Sequence, residues 1–587
     1  MKMIRTRCLP LIVIIFLLCA GTLSAQAPLE PAQLPANTAF YFVWRGQPSA
    51  EIRKSNSIAA LWDDPGFAPV RSSIANALLK NSEEKSSEKK LTREQLDEYA
   101  SLLDNAFVLG YLSDPHKKDY VVSANPSPAK TTPWNGLFFI YDRTGKEAIL
   151  TKAVLGLRAS EKEVPQISQV TIAGVAALKV QRATSVTYWV ENGKYAISAG
   201  NEGVLEEILN RLYGKSTSGS LADAPAYKEA QSALGAGQVE FFVRVADLKS
   251  LGADSSAGGF RVRPLLDALK LEAIHSISGR VLLDGAKTRV QVAALGDTAP
   301  GSLFDIWGSG TPTPASLSVV PADAVSYSDT QIDLTGLYGA VKRIAASILP
   351  PGQQGNIDMV EMMAQAKLGQ SLSSALALFT GEFSSMQTSA SLDNNKQIYL
   401  VGIHDKPDTL KLLHTVLTDR ISSERNEGET TFMKISTTGG GGAAGKAPAS
   451  AATPQDFYHV AATSDYLVAA PTYEAVHELL AKRSGALLST TPGFQSARAQ
   501  FPANINGLGY FDFRKLDWKA VKARMVAEAN KAPAASKHSQ SAPKSSATQN
   551  YSWIQDVNTE AFSRHLHVAS SASWKDEKGL HFDQWIE

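Results

Sequence analysis

Tyr188-Trp189-Val190-Glu191-Asn192-Gly193-Lys194-Tyr195-Ala196-Ile197-Ser198-Ala199 reads as strand, polar turn, strand. Apolar runs on either side of an Asn-Gly pair are the pattern of a hairpin. The stretch leads into Glu202 to Leu212, where Leu205, Ile208, Leu209 and Leu212 recur at the spacing of one core-facing helical stripe. The same order returns downstream. Tyr458 to Ala462, a polar turn and Tyr466 to Ala469 lead into Tyr473 to Lys482, with Val476, Leu479 and Leu480 on one face.

Working outward, the correspondence extends in both directions. Leu34-Pro35-Ala36-Asn37 precedes Tyr41 as Val320-Pro321-Ala322-Asp323 precedes Tyr327, and both read as strand entries. Phe107 to Leu112 with Gly136 to Asp142 matches Phe383 onward with Gln397 to Asp405, each a hairpin-like pair. A helical stretch follows each, Lys146 to Leu157 and Pro407 to Ile421. Pro225-Ala226-Tyr227 and Pro492-Gly493-Phe494 are helix starts, because proline at the first helical position lacks only an amide hydrogen that would go unpaired. A third such start is Pro65-Gly66-Phe67, with Asp64 before it as a cap, and Thr491 stands in the same place before Pro492. Strands Val239 to Val245 and Gly507 to Phe513 come next, and hairpins turning at Asp284-Gly285 and around Asp576 to Gly579 close each half.

Locally paired strands point to an α+β fold: two tandem repeats of a largely antiparallel sheet with helices packed on one face. The expected organisation is a signal peptide over 1–25, a first repeat over 26–307, a Gly/Pro-rich linker over 308–316 and a second repeat over 317–587. Within the second repeat, 439–452 and 531–548 read as disordered insertions, the first holding four consecutive glycines. Glu83 to Lys90 reads as a solvated charge run before Thr92-Arg93-Glu94-Gln95, a capping box.

The N-terminus carries Lys2, Arg5 and Arg7, an apolar run from Leu9 to Ala20 and small residues to Ala27, the layout of a secretory signal. The expected cleavage follows Ala25, since a cut after Ala27 would put Pro28 first. An uncleaved anchor is the competing reading, and the run is short for it. Cys8 and Cys19 both lie in this segment. The mature chain is therefore expected to be cysteine-free, which excludes disulfides, a cysteine nucleophile and a thiolate metal site. Removing the segment takes the formal charge from +1 to about −2, without the basic excess of a nucleic-acid binder. No later stretch is apolar enough to span a membrane.

The start Leu34-Pro35-Ala36-Asn37-Thr38 with Tyr41, and the Asp64-Pro65-Gly66-Phe67 helix start, resemble a family of secreted bacterial proteins known only as a domain of unknown function (DUF3352-like). The resemblance implies an uncharacterised envelope or secreted protein, and it supplies no catalytic residues.

No chemical motif completes itself. Gly214-Lys215-Ser216-Thr217 has the tail of a phosphate loop, but the required earlier glycine is Leu209, so Gly214 reads as a helix cap. His477-Glu478 lacks the second histidine of a zinc helix, position 481 being Ala. His565 and His567 read as facing one side of a strand, with His581 on the return strand near Ser573. These three are the only metal candidates, and the register does not bring them together. No catalytic or cofactor-binding residue and no cofactor is expected. Tyr41, Phe42, Trp44, Trp62, Trp134, Phe138, Phe139, Tyr141, Tyr188 and Trp189 are read as core aromatics, with a glycan or lipid groove as the alternative. The expectation is an exported, non-enzymatic protein with a binding or envelope-structural role. Its partner would be lipid, glycan or another envelope protein, and not nucleic acid. A periplasmic hydrolase with scattered site residues is the alternative.

Overall fold

The computed structural model describes residues 30–85, 92–113, 136–151, 166–181, 186–216, 218–247, 256–257, 260–261, 270–298, 302–308, 310–349, 355–437, 457–482, 485–531 and 553–587. The signal segment, Ala25, 439–452 and 532–548 lie outside them.

Among the described residues, ten strands of the main sheet come from the N-terminal part, apart from a two-stranded ribbon of Ser256–Ala257 and Phe260–Arg261: β1 (Thr38–Arg45), β2 (Ala106–Leu112), β3 (Leu137–Asp142), β4 (Gln166–Ile172), β5 (Val175–Gln181), β6 (Val186–Asn192), β7 (Tyr195–Ala199), β8 (Val239–Arg244), β9 (Ile274–Asp284) and β10 (Lys287–Gly296). Ten follow: β11 (Ser326–Gln331), β12 (Phe379–Gln387), β13 (Gln397–Ile403), β14 (Ile421–Glu427), β15 (Thr430–Ser436), β16 (Phe457–Ala462), β17 (Tyr466–Ala470), β18 (Gly507–Asp512), β19 (Val568–Asp576) and β20 (Gly579–Ile586). All twenty join one sheet.

Every pairing in that sheet is antiparallel. The spatial order is β4-β5-β6-β7-β3-β2-β1-β8-β9-β10, then β20-β19-β18-β11-β12-β13-β17-β16-β15-β14. No pairing joins β4 to β14 among the described residues, so the sheet is open at both ends. The seam is β10 against β20, from Thr288 beside Ile586 to Leu295 beside Gly579. Asp583, buried at the seam, accepts from Arg289 Nε at 3.0 Å and from Gln291 Nε2 at 3.0 Å.

The helices used below are α1 (Ser57–Asp63), α2 (Ala68–Lys85), α3 (Arg93–Ala100), α4 (Glu202–Leu212), α5 (Pro225–Leu234), α6 (Leu334–Ile348), α7 (Gly355–Leu368), α8 (Leu372–Leu376), α9 (Lys406–Leu417), α10 (Tyr473–Lys482), α11 (Pro492–Arg498), α12 (Trp518–Lys531) and α13 (Thr559–His565). Side chains alternate across a strand, so each strand can feed two cores. Tyr41, Phe138 and Val190 pack with Leu205 and Leu209 of α4 and Tyr227 of α5. Tyr327, Ile398 and Val468 pack with Val476 of α10 and Phe494 of α11. On the opposite face, Tyr141 and Ala196 pack on Leu150, and Ile403 and Met433 pack with Leu410 and Leu413 of α9. Helices therefore cover both faces, which corrects the one-face expectation. Apolar residues stand on alternate sides of one strand, as in Phe138-Phe139-Ile140-Tyr141, so burial is shared between two layers.

Local signals set the helix boundaries. Thr92 and Gln95 form a reciprocal capping box on α3. The Asp64 carboxylate accepts the Gly66 amide at 2.7 Å. Thr491 does not cap: its hydroxyl donates to Leu488 O instead. Gly214 follows α4 at φ +68°, the left-handed conformation that ends a helix.

A further apolar cluster joins the halves. Leu61, Trp62 and Phe67 meet Ala561 and Leu566, with Trp518 and Phe562 beside them. Phe67 and Phe562 lie 5.8 Å apart edge to face, and Phe562 stacks on Trp518 at 4.9 Å.

Candidate functional site

The sequence candidates separate in space. His565 ends helix α13 and does not start a strand; its Nε2 lies 2.9 Å from Asp64 Oδ2. His567 is exposed in the segment between α13 and β19. His581 is beside Trp574, one residue from the expected Ser573, stacks on that indole at 5.1 Å, and bonds Asp576 Oδ1 at 3.1 Å. The strand reading of His565 failed because the Thr559 to His565 stretch is helical, capped by Asn558. No group of three or more metal-ligating side chains occurs among the described residues. His477 is exposed and packs on Tyr473 at 5.6 Å. Of the aromatics read as core, Tyr41, Trp44, Trp62, Phe138, Tyr141 and Tyr188 are buried, Phe42, Phe139 and Trp189 are half-buried, and Trp134 lies outside the described residues.

Three features were not read from sequence. The first is a cavity of about 410 Å³ beside the start of α6, lined by Gln331, Asp333, Thr335, Phe379, Thr380 and His404, with Asn506 and Thr311 at its back. Asn506 is fixed there: its amide donates to Gly308 O at 2.9 Å and its oxygen accepts the Lys575 N–H at 2.8 Å.

The second is a buried polar cluster adjoining that cavity. Gln331, a lining residue, pairs with Glu382, and Asp329 pairs with Ser384. Ser384 donates to Asp329 Oδ1 at 2.8 Å, and the Ser316 N–H donates to Glu382 Oε1 at 2.7 Å. Ser316 Oγ lies 2.7 Å from Tyr327 OH and 2.8 Å from Ser384 Oγ. Burial, followed by the Glu382 charge, pushes the Asp329 carboxyl up to about 7. Asp329 and Glu382 are 3% and 4% exposed and neither lines the cavity. Ser384 and Asp329 thus stand as hydroxyl and carboxyl in contact, but neither lines the cavity, so a proton at Asp329 has no open path to a substrate there.

The third feature is an apolar surface on α7. Met359, Val360, Met362 and Met363 are 48%, 63%, 64% and 67% exposed, and Val341 of α6 is 52% exposed. Apolar side chains this exposed on adjacent turns of one helix are uncommon on a folded surface, whereas scattered ones are normal. In sequence Met359, Met362 and Met363 stand at i, i+3 and i+4, the spacing of one helical face, and here that face stays exposed.

A smaller cavity, about 310 Å³, lies by Arg45, Lys228 and Gln231. Its arginine is already paired, with Glu240 at 2.7 Å and Glu30 at 3.7 Å.

No protein-family model and no curated protein matches the chain. Among solved structures, crystal form I of TP0453 matches over 46% of this chain and 80% of that one, at 7% identity and a TM-score of 0.21. A likeness at that level carries no argument about fold or function. No helix among the described residues is long and apolar enough to cross a membrane.

Proposed function

We propose that the protein is an exported, non-enzymatic binding protein of the cell envelope, and that it docks an apolar segment of another envelope protein on the methionine-rich face of α7. The observation that carries this reading is the exposure of Met359, Val360, Met362 and Met363 together. Methionine is unbranched and polarizable, so such a face accommodates partners of differing shape. α7 carries Asp358, Glu361 and Lys367, and Glu361 is ion-paired with Lys342 at 2.8 Å, so the helix has no basic excess to attract an anionic lipid surface. Tyr41, Phe138, Tyr141 and Tyr188 are buried and offer a glycan no stacking platform. The hydrolase alternative has one observation on its side, the Asp329 carboxyl near neutrality, and the closure of that cluster counts against it.

Two further expectations belong to the same reading. The signal-like N-terminus supports export, with a mature chain beginning at Gln26 and membership of the secreted family its motifs resemble. N-terminal sequencing of the exported form tests this, and an intact Met1 would refute it. The strand order supports duplication. β1 to β10 and β11 to β20 pair in the same order about the β10–β20 seam, strand for strand, while the helical inserts after β1 and β11 differ.

The docking claim is tested with a photo-crosslinking residue at position 362, and at exposed Glu474 as control. The expected result is one protein adduct at 362 only, whose purified partner binds at least tenfold more weakly to a Met359→Ser, Met362→Ser, Met363→Ser variant. Lipid adducts alone, or unchanged binding by that variant, would refute the reading.

A further inference from the structure

The two open edges of the sheet differ. β14 carries Glu424, Arg425 and Glu427, and its pairing with β15 is irregular between Ile421 and Ser423. Charge and a bulge both discourage another strand from adding to an edge. β4 reads Gln166-Ile167-Ser168-Gln169-Val170-Thr171-Ile172, with no charge and no proline, and it pairs with β5 without a register shift. Ile167 is 42% exposed. Among the described residues, β5 is the only strand paired with β4.

The turn fixes which backbone groups of β4 face outward. Ala173 and Gly174 both have positive φ, +50° and +84°, between the paired residues Ile172 and Val175. Two left-handed central residues make a type I′ hairpin, in which the pair flanking the turn exchanges both hydrogen bonds and pairs then alternate. Ile172, Val170 and Ser168 therefore bond to β5. The amides and carbonyls of Ile167, Gln169 and Thr171 point away from the sheet.

We propose that this edge pairs antiparallel with β4 of a second copy, about a two-fold axis at Gln169. That register sets Gln169 opposite its counterpart and Ile167 opposite Thr171, so all the outward groups match and roughly six backbone hydrogen bonds form. Ser168 faces Val170 and Gln166 faces Ile172, so no like charges meet. The edge is self-complementary, as an isologous contact requires. The sheet then runs continuously through two molecules. This inference rests on the β4 edge and is independent of the α7 docking face.

Sedimentation of the full exported protein across a concentration series tests it. The wild type is expected as a dimer. Gln169→Pro removes an outward amide without touching a β5 bond, and Gln169→Lys places like charges directly opposite one another at the axis; each is expected to give monomers with unchanged circular dichroism. Should the proline variant misfold, Gln169→Lys decides. Glu424→Lys at the other edge leaves the dimer intact. With Cys8 and Cys19 absent, Gln169→Cys is expected to oxidise to a disulfide-linked dimer, because opposed residues in such a pair have Cα atoms about 5.5 Å apart. A wild type that stays monomeric, a dimer indifferent to both edge variants, or a complex with a different protein at this edge overturns the proposal.

Discussion

His565 Nε2 lies 2.9 Å from Asp64 Oδ2, linking a helix cap in one half of the molecule to a helix end in the other. Arg564 Nη1 reaches the same oxygen at 2.5 Å. Burial alone would raise the Asp64 carboxyl. The Gly66 amide, the His565 bond and the Arg564 charge outweigh it and hold the group below the usual carboxylate range. One carboxylate therefore starts the Pro65–Phe67 turn and ties it to α13.

A depressed carboxylate contributes stability that is present above its unfolded pKa, about 3.9, and is lost as pH falls through the lower folded value. Asp64→Asn is expected to cost about 1–2 kcal/mol near neutrality through the lost cap and ion pair, and to flatten the acid limb below pH 4. Urea midpoints measured from pH 3 to 7 check this. An unchanged acid limb would show that the link contributes nothing to acid sensitivity.

Asp329 works in the opposite sense. Its carboxyl is raised to about 7, so between about pH 4 and 7 the folded state holds a proton that the unfolded state has released. Stability from this group falls as pH rises through that window, and the full cost stands above 7. Asp329→Asn keeps an acceptor for Ser384 and cannot ionise. It is expected to raise stability at pH 8 relative to pH 5, by at most about 3 kcal/mol. Comparing urea midpoints of the two proteins at both pH values reads this directly; parallel profiles would sink the assignment.

The exposed methionines and a buried one make an internal control. Met359→Ser, Met362→Ser and Met363→Ser should each shift stability by no more than about 0.5 kcal/mol, because those side chains are in solvent. Met386→Ala, at a fully buried position, should cost about 2–5 kcal/mol. Binding of an apolar dye should fall in the first set. Equal destabilisation in both sets would mean α7 packs against something in solution.

What the sequence made legible was whatever rests on local pattern. The Tyr188 to Ala199 hairpin, the α4 stripe, the Thr92 box and the Gly214 cap lie where their residues put them, because each is decided within a few positions. The second helical layer was not legible. Phe139 and Tyr141 read as core aromatics, but nothing local shows that a second layer, with Leu150 in it, covers them in place of the α4 layer. The Asp329–Ser384 bond joins residues from different strands, and the α7 surface is defined by what fails to pack on it. Such relations depend on tertiary placement, which periodicity does not encode.

The halves should unfold together. β10 and β20 pair along eight residues, Asp583 is buried in their seam, and Phe67 stacks edge to face on Phe562 at 5.8 Å. Opening one half alone would expose the Trp62–Phe67–Phe562 cluster and leave Asp583 without its Arg289 and Gln291 donors. Leaving a buried charge unpaired is expensive, so the intermediate is disfavoured on both counts. Phe67→Ala is expected to cost about 3–5 kcal/mol. In a double-mutant cycle with Phe562→Ala the coupling should be about 0.5–1.5 kcal/mol. Calorimetry and denaturant unfolding should show one transition in the wild type. Phe67→Ala should lower that transition as a whole. Two separated transitions in the wild type, each retained when the other half is destabilised, would show that the seam does not couple the halves.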